Sequence, residues 1–132
     1  MTTRSIRKAV GLTIIAVIAL LHVFSLANYL DGDWRSWYYS YFSDLILPFG
    51  MYFLLCIAEF NVTSLHQWYV KSGVIIGVTV LAEVLQYNGI YAFGTTFDPI
   101  DILMYVLGVG IAVVVDRLVF RSLIPQWDLG NN

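Results

Sequence analysis

The sequence predicts an all-α polytopic membrane protein, a bundle of four transmembrane helices in one domain spanning residues 1–132, with both termini cytoplasmic. Three observations predict it. Composition is 59% hydrophobic and only 12% charged, about half the ~25% charge of soluble domains. Four apolar runs each reach the ~20 residues that a helix needs to cross a ~30 Å hydrocarbon layer. Finally, six of the seven basic residues (Arg4, Arg7, Lys8, Lys71, Arg117 and Arg121) fall on one side when four helices alternate, leaving Arg35 alone on the other. The positive-inside rule makes that side the cytoplasm.

The first span is expected over about residues 9–29, the second over 38–58, the third over 70–91 and the fourth over 99–120. Turn-rich loops, "LDGDWRSW", "EFNVTSLHQW" and "NGIYAFGTTFD", connect them, and "RSLIPQWDLGNN" reads as a short polar tail. A rival reading of the N-terminus is a cleaved signal peptide, with a basic start and small residues Ser25 and Ala27 in "SLAN". The apolar run exceeds the usual ~7–15 residues of such a segment, which favours a retained helix. The sequon at Asn61 lies on the cytoplasmic side and is expected to carry no glycan.

Gly73 and Gly77 form a GxxxG pattern on the third span, and Gly108 with Ala112 repeats the small-residue spacing on the fourth. Such faces let helix backbones approach closely, within one chain or between chains of a homo- or hetero-oligomer. Trp34, Trp37, Tyr38, Tyr39, Tyr41 and Phe42 read as an interfacial aromatic belt.

Many common chemistries are excluded. Cys56 is the single cysteine, His22 and His66 are isolated, and no phosphate-binding loop, nucleophile elbow, zincin or dinucleotide motif is present. No metal, cofactor or nucleic-acid partner is expected; the bilayer is the expected surrounding.

What remains is a set of acids in apolar sequence: Asp44, Glu83, Asp98 and Asp101. An ionisable side chain inside the bilayer costs about 2.5–3.5 kcal/mol on insertion scales, so each needs a partner or a purpose. Asp98, followed by Pro99, has the form of a helix N-cap, and Asp101 that of the third-residue acid of a capping box. Glu83 has no such excuse. It lies about 12 residues, or ~18 Å, beyond Lys71, with Thr79 and Gln86 on the same stripe. Asp98, Asp101, Tyr105 and Gly108 share one face of the fourth helix, and Asp44 lies at similar depth on the second, with Tyr52 two turns below it. These spacings predict an outward-facing polar pocket lined by Asp44, Glu83, Gln86, Asp101 and Tyr105, within reach of His22.

The stretches "DLILPFGMYFLL" from Asp44, "EVLQ" from Glu83 and "DILMYVLG" from Asp101 resemble the VanZ-like family of small bacterial membrane proteins. The likeness covers roughly residues 40–120. Asp44, Tyr52, Glu83, Gln86, Asp101 and Gly108 match the family pattern. Leu45, Pro48 and Tyr105 stand where it has Lys, His and Asn, and no Arg precedes the last helix. The resemblance implies a divergent VanZ-like protein with a cell-envelope role connected to glycopeptide antibiotic resistance. Three functional readings stay open: a membrane-embedded binder, or an enzyme with paired carboxylates, acting on an amphiphilic envelope molecule such as a lipid-linked sugar or lipoglycopeptide; a structural or assembly subunit with no ligand of its own; and, ranked last, a proton or cation conduit. For the first, the candidate ligand-binding residues are Asp44, Tyr52, Glu83, Gln86, Asp98, Asp101 and Tyr105.

Overall fold

A computed structural model describes residues 2–91 and 98–128. Four helices in it are long and apolar enough to cross a membrane: α1 (Thr3–Val23), α2 (Gly32–Ala58), α3 (Trp68–Tyr87) and a fourth continuous helical span, Pro99–Leu123. This last begins as α4 (Pro99–Val114), passes through a π-helical stretch (Val115–Phe120) and closes with the turn Arg121–Leu123. Among the described residues there is no β-strand. The predicted third loop includes residues 92–97, which lie outside the described set.

The helix boundaries differ from the sequence expectation at several points: α1 ends at Val23, six residues short of the expected 29, and Leu26–Tyr29 forms a separate 3-10 turn, while three other ends move for local reasons. α1 starts six residues earlier because Thr2 caps it, its hydroxyl accepting the Ser5 N–H at 3.2 Å. α2 absorbs most of the predicted first loop: Asp33 in the first turn complements the helix dipole, and Tyr38 stacks on Phe42 one turn on, with ring centroids 4.3 Å apart. α3 stops at Tyr87 because Gly89 takes φ +81°, and Ile90 donates back to the Leu85 carbonyl at 2.8 Å.

The C-terminal segment is also more than a polar tail. Pro125–Trp127 forms a 3-10 turn that folds back beneath the bundle and buries Trp127 to 1% exposure, against Phe120 and Arg7. Arg7 and Trp127 therefore place the start of α1 and the end of the fourth span at one end of the molecule.

α2 is the hub, packing on α1, α3 and α4, and its interface with α4 is the most extensive. Gly108 makes that interface possible: a Cβ there would strike the backbone carbonyl of Leu45. The α1–α2 seam is similarly close, with Gly11 against Ile57 and Gly50 against Ile15 and Ile18. The small residues of α3 behave otherwise. Gly73 and Gly77 are exposed and have open space where a side chain would be, so the close approach expected of their GxxxG pattern is not made within the chain. Gly108 makes it instead.

Replacing Gly108 by Ala should destabilise the bundle by about 1–3 kcal/mol, as overpacking does, whereas Gly73→Ala and Gly77→Ala should leave it unchanged or slightly firmer. Thermal unfolding of the three variants in detergent measures this; an unaffected Gly108→Ala would contradict the packing described.

Candidate functional site

The sequence-predicted acids lie at the end of the bundle opposite the termini. Glu83 on α3 is 1% exposed, and its Oε1 accepts the Tyr105 hydroxyl of α4 at 2.6 Å. Its other oxygen, Oε2, is buried with no hydrogen-bond partner among the described residues. Asp44 of α2 lies within side-chain hydrogen-bonding reach of both Tyr105 and Asp101. Three helices thus bring Asp44, Glu83, Asp101 and Tyr105 together. Gln86 is buried on the same stripe of α3, while Thr79 donates to carbonyls of its own helix, Ile75 at 3.0 Å and Ile76 at 3.1 Å.

The remaining candidates are placed differently. Asp98 is the N-cap of α4: its Oδ1 accepts the Ile100 N–H at 2.9 Å, and Oδ2 accepts the Tyr41 hydroxyl at 3.4 Å. Asp101, whose position fits a capping box, turns toward Asp44 instead. His22 bonds the Ile18 carbonyl of its own helix and the Ser43 hydroxyl of α2. Tyr52 stands apart from the acid group, pointing to the opposite end, where its hydroxyl donates to Asp116 at 2.8 Å.

A groove of about 120 Å³ opens between α2 and α3 beside the acids. Ser43, Asp44, Thr79 and Tyr105 supply its polar lining, and Leu47, Pro48, Met51, Val78 and Ala82 its apolar lining. Pro48 has no N–H to give the ladder, so the carbonyl of Asp44 lacks its helical donor at this point. Leu47 and Val78 are 46% and 42% exposed on the outer surface of the bundle, which faces lipid in a membrane. Among the described residues, no group of three or more potential metal ligands converges.

The second polar assembly was not read from the sequence at all. Glu59, at the C-cap of α2, is wholly buried between Arg7 of α1 and Lys71 of α3; it pairs with the Arg7 guanidinium through Oε1 and with Lys71 Nζ through Oε2 at 2.9 Å. Lys71 also donates to Cys56 Sγ at 3.3 Å and lies 3.9 Å from Asp116 Oδ2. Asp116 accepts the Tyr52 hydroxyl and, at 2.7 Å, the Trp127 indole N–H. Arg7 closes the circuit, donating from Nε and Nη2 to the Trp127 carbonyl at 2.9 and 2.5 Å with its guanidinium 4.7 Å from the Trp127 ring centre. Two cations and two acids balance, and every spanning helix contributes. The available signal was Asp116, an unexplained acid well inside the last apolar run.

Removing one member of a buried ion pair costs about 3–5 kcal/mol, because the other charge is left uncompensated. Glu59→Gln, which leaves Arg7 and Lys71 facing one another, should lower stability on that scale in a detergent melt. Arg121→Gln breaks the exposed pair with Asp128 and should cost less than about 1 kcal/mol. Similar losses in the two variants would refute a special role for Glu59. Comparison with family models, curated proteins and solved structures found no match to this chain.

Proposed function

We propose that this chain is a divergent VanZ-like protein of the bacterial cell envelope whose acid groove binds the polar head of an amphiphilic envelope molecule, a lipid-linked sugar or a lipoglycopeptide. The observation that carries the reading is the mixed lining of the groove between α2 and α3. Asp44, Ser43, Thr79 and Tyr105 face the same space as Leu47, Met51 and Val78, and that space opens on the lipid-facing surface.

Carboxylates accept hydrogen bonds from hydroxyl and amine groups, which are abundant on sugars. Asp44 can accept directly, while Tyr105, its hydroxyl donated to Glu83, lines the same space. At about 120 Å³ the groove is well below the ~300–1,000 Å³ that encloses a drug-sized ligand, so only part of the head is seated and the hydrocarbon tail stays in the bilayer. Leu47 and Val78 form the lateral gate through which such a molecule enters without leaving the membrane. Six basic residues at the other end make that end cytoplasmic by the positive-inside rule, so the groove serves the outer leaflet.

The test is binding of a fluorescent glucosyl-diacylglycerol to the protein in phosphatidylcholine nanodiscs, compared with the same lipid bearing O-methylated sugar hydroxyls. Methylation should weaken binding at least tenfold, since a site built to pair hydroxyls discriminates against analogues lacking them. Asp44→Asn, which keeps the shape and changes the charge, should reduce affinity for the native glycolipid and narrow the difference. If the two lipids bind equally and Asp44→Asn only shifts the melting temperature, the acids serve the bundle alone, as in a structural or assembly subunit.

A further inference from the structure

The opposite end of the molecule carries a second concavity, of about 90 Å³, lined by Arg7, Lys71, Arg117, Arg121, His66, Asp116 and Asp128 and flanked by Trp68 and Trp127. Four cations against two acids line it, and Glu59 behind them still leaves one positive charge in excess. The charges are not equivalent. Arg7 and Lys71 form a floor already committed to Glu59 and Asp116, and Arg121 pairs with Asp128 at 2.6 Å with its side chain half exposed. Arg117 makes no ion pair within the described residues, although it borders the cavity.

Local backbone geometry explains that arrangement. The π-helical stretch Val115–Phe120 widens the turn at the end of the last span, so that the consecutive residues Asp116 and Arg117 both border the cavity, one buried and one exposed. The next exposed residue, Leu118, and Leu123 present bare apolar side chains beside this rim, at 66% and 72% exposure. Trp68, 41% exposed beside the cavity, completes an interfacial setting, where an amphipathic ring resides at headgroup depth. A cavity there, basic and adjoining apolar surface, has the chemistry that pairs with phosphate oxygens at the membrane boundary.

We propose that this cavity binds a phosphate group, that of an anionic phospholipid in the leaflet on the basic side, with Arg117 and Arg121 as the groups that grip it and the Arg7–Lys71 floor setting its depth. The site is separate from the acid groove and shares no lining residue with it.

The protein is reconstituted in nanodiscs of phosphatidylcholine containing a trace of fluorescent phosphatidylglycerol, and binding is read by energy transfer from tryptophan, with native mass spectrometry counting retained lipids. Wild type should retain phosphatidylglycerol in preference to phosphatidylcholine. Arg117→Gln and Arg121→Gln should each weaken that preference about fivefold. Lys8→Gln, an exposed cation at the same end but outside the cavity, should not. A parallel titration of inorganic phosphate in detergent separates the sources: an Arg117-dependent rise in melting temperature assigns the site to free phosphate as well, and its absence confines it to the lipid. Equal losses in Lys8→Gln and Arg117→Gln would mean diffuse attraction to the surface and would overturn the site. So would the lack of any preference in wild type.

Discussion

The carboxylate of Glu59, buried between Arg7 and Lys71, is the constraint from which the rest of the bundle takes its register. Helices in hydrocarbon gain little from burying apolar side chains against one another, since lipid tails are as apolar as leucine. Close packing holds them, but packing alone leaves axial sliding cheap. A buried charge does not tolerate sliding: a displacement of one turn, ~5.4 Å, would leave Glu59 unpaired where the dielectric is low. Because Arg7, Glu59, Lys71 and Asp116 come from four different spans, this circuit fixes their relative heights together. Near the other end, the contact of Gly108 with the Leu45 carbonyl fixes the distance between the two central helices. Height is set at one end and spacing toward the other.

The circuit explains why the end of the chain is ordered as it is. Asp116 is needed facing inward, yet the helix must also deliver Phe120 to the ring stack with Phe53 and Trp127. The π-helical stretch fits an extra residue into that turn and meets both demands. Trp127 then plugs the base with its indole N–H on Asp116 and its carbonyl on Arg7, so that the segment after the last span caps four helices instead of trailing into solvent. Such a plug is both polar and aromatic, which suits a position at the membrane boundary.

Span number and approximate limits were legible because length and hydropathy are one-dimensional properties; boundaries missed at α1, α2 and α3 were set by a threonine cap, a first-turn acid and a left-handed glycine that a hydropathy reading passes over. The meeting of Glu83 with Tyr105 followed from helical spacing and the intolerance of hydrocarbon for lone acids. The same reasoning applied to Asp116 would have asked for its partner. The sequence does not single out that partner, since Arg7 and Lys71 equally mark orientation and Glu59 opens a turn-rich segment. Tyr52 shows the limit of spacing arguments: two turns below Asp44, it turns to the far end because Asp116 is there to accept its hydrogen bond. Nothing in the sequence distinguishes those two destinations without knowing which helices are neighbours.

The two polar assemblies are kept apart by design of the intervening layer. On α2, Asp44 and Tyr52 are eight residues apart, roughly 12 Å along the axis, and on the last span Tyr105 and Asp116 are eleven apart, roughly 16 Å. Between them lie Ile75, Val109 and Ala112, each at most 2% exposed, with Pro48 equally enclosed. These side chains are apolar, and a charge passing them would lose hydration without gaining a polar partner from them. The side chains that border the gap are themselves engaged, Tyr52 with Asp116 and Tyr105 with Glu83, each hydroxyl donating toward its own end. The described residues thus hold two separate polar assemblies: a neutral, closed charge circuit that fixes the bundle, and an acid group in which one buried carboxylate oxygen has no hydrogen-bond partner among the described residues.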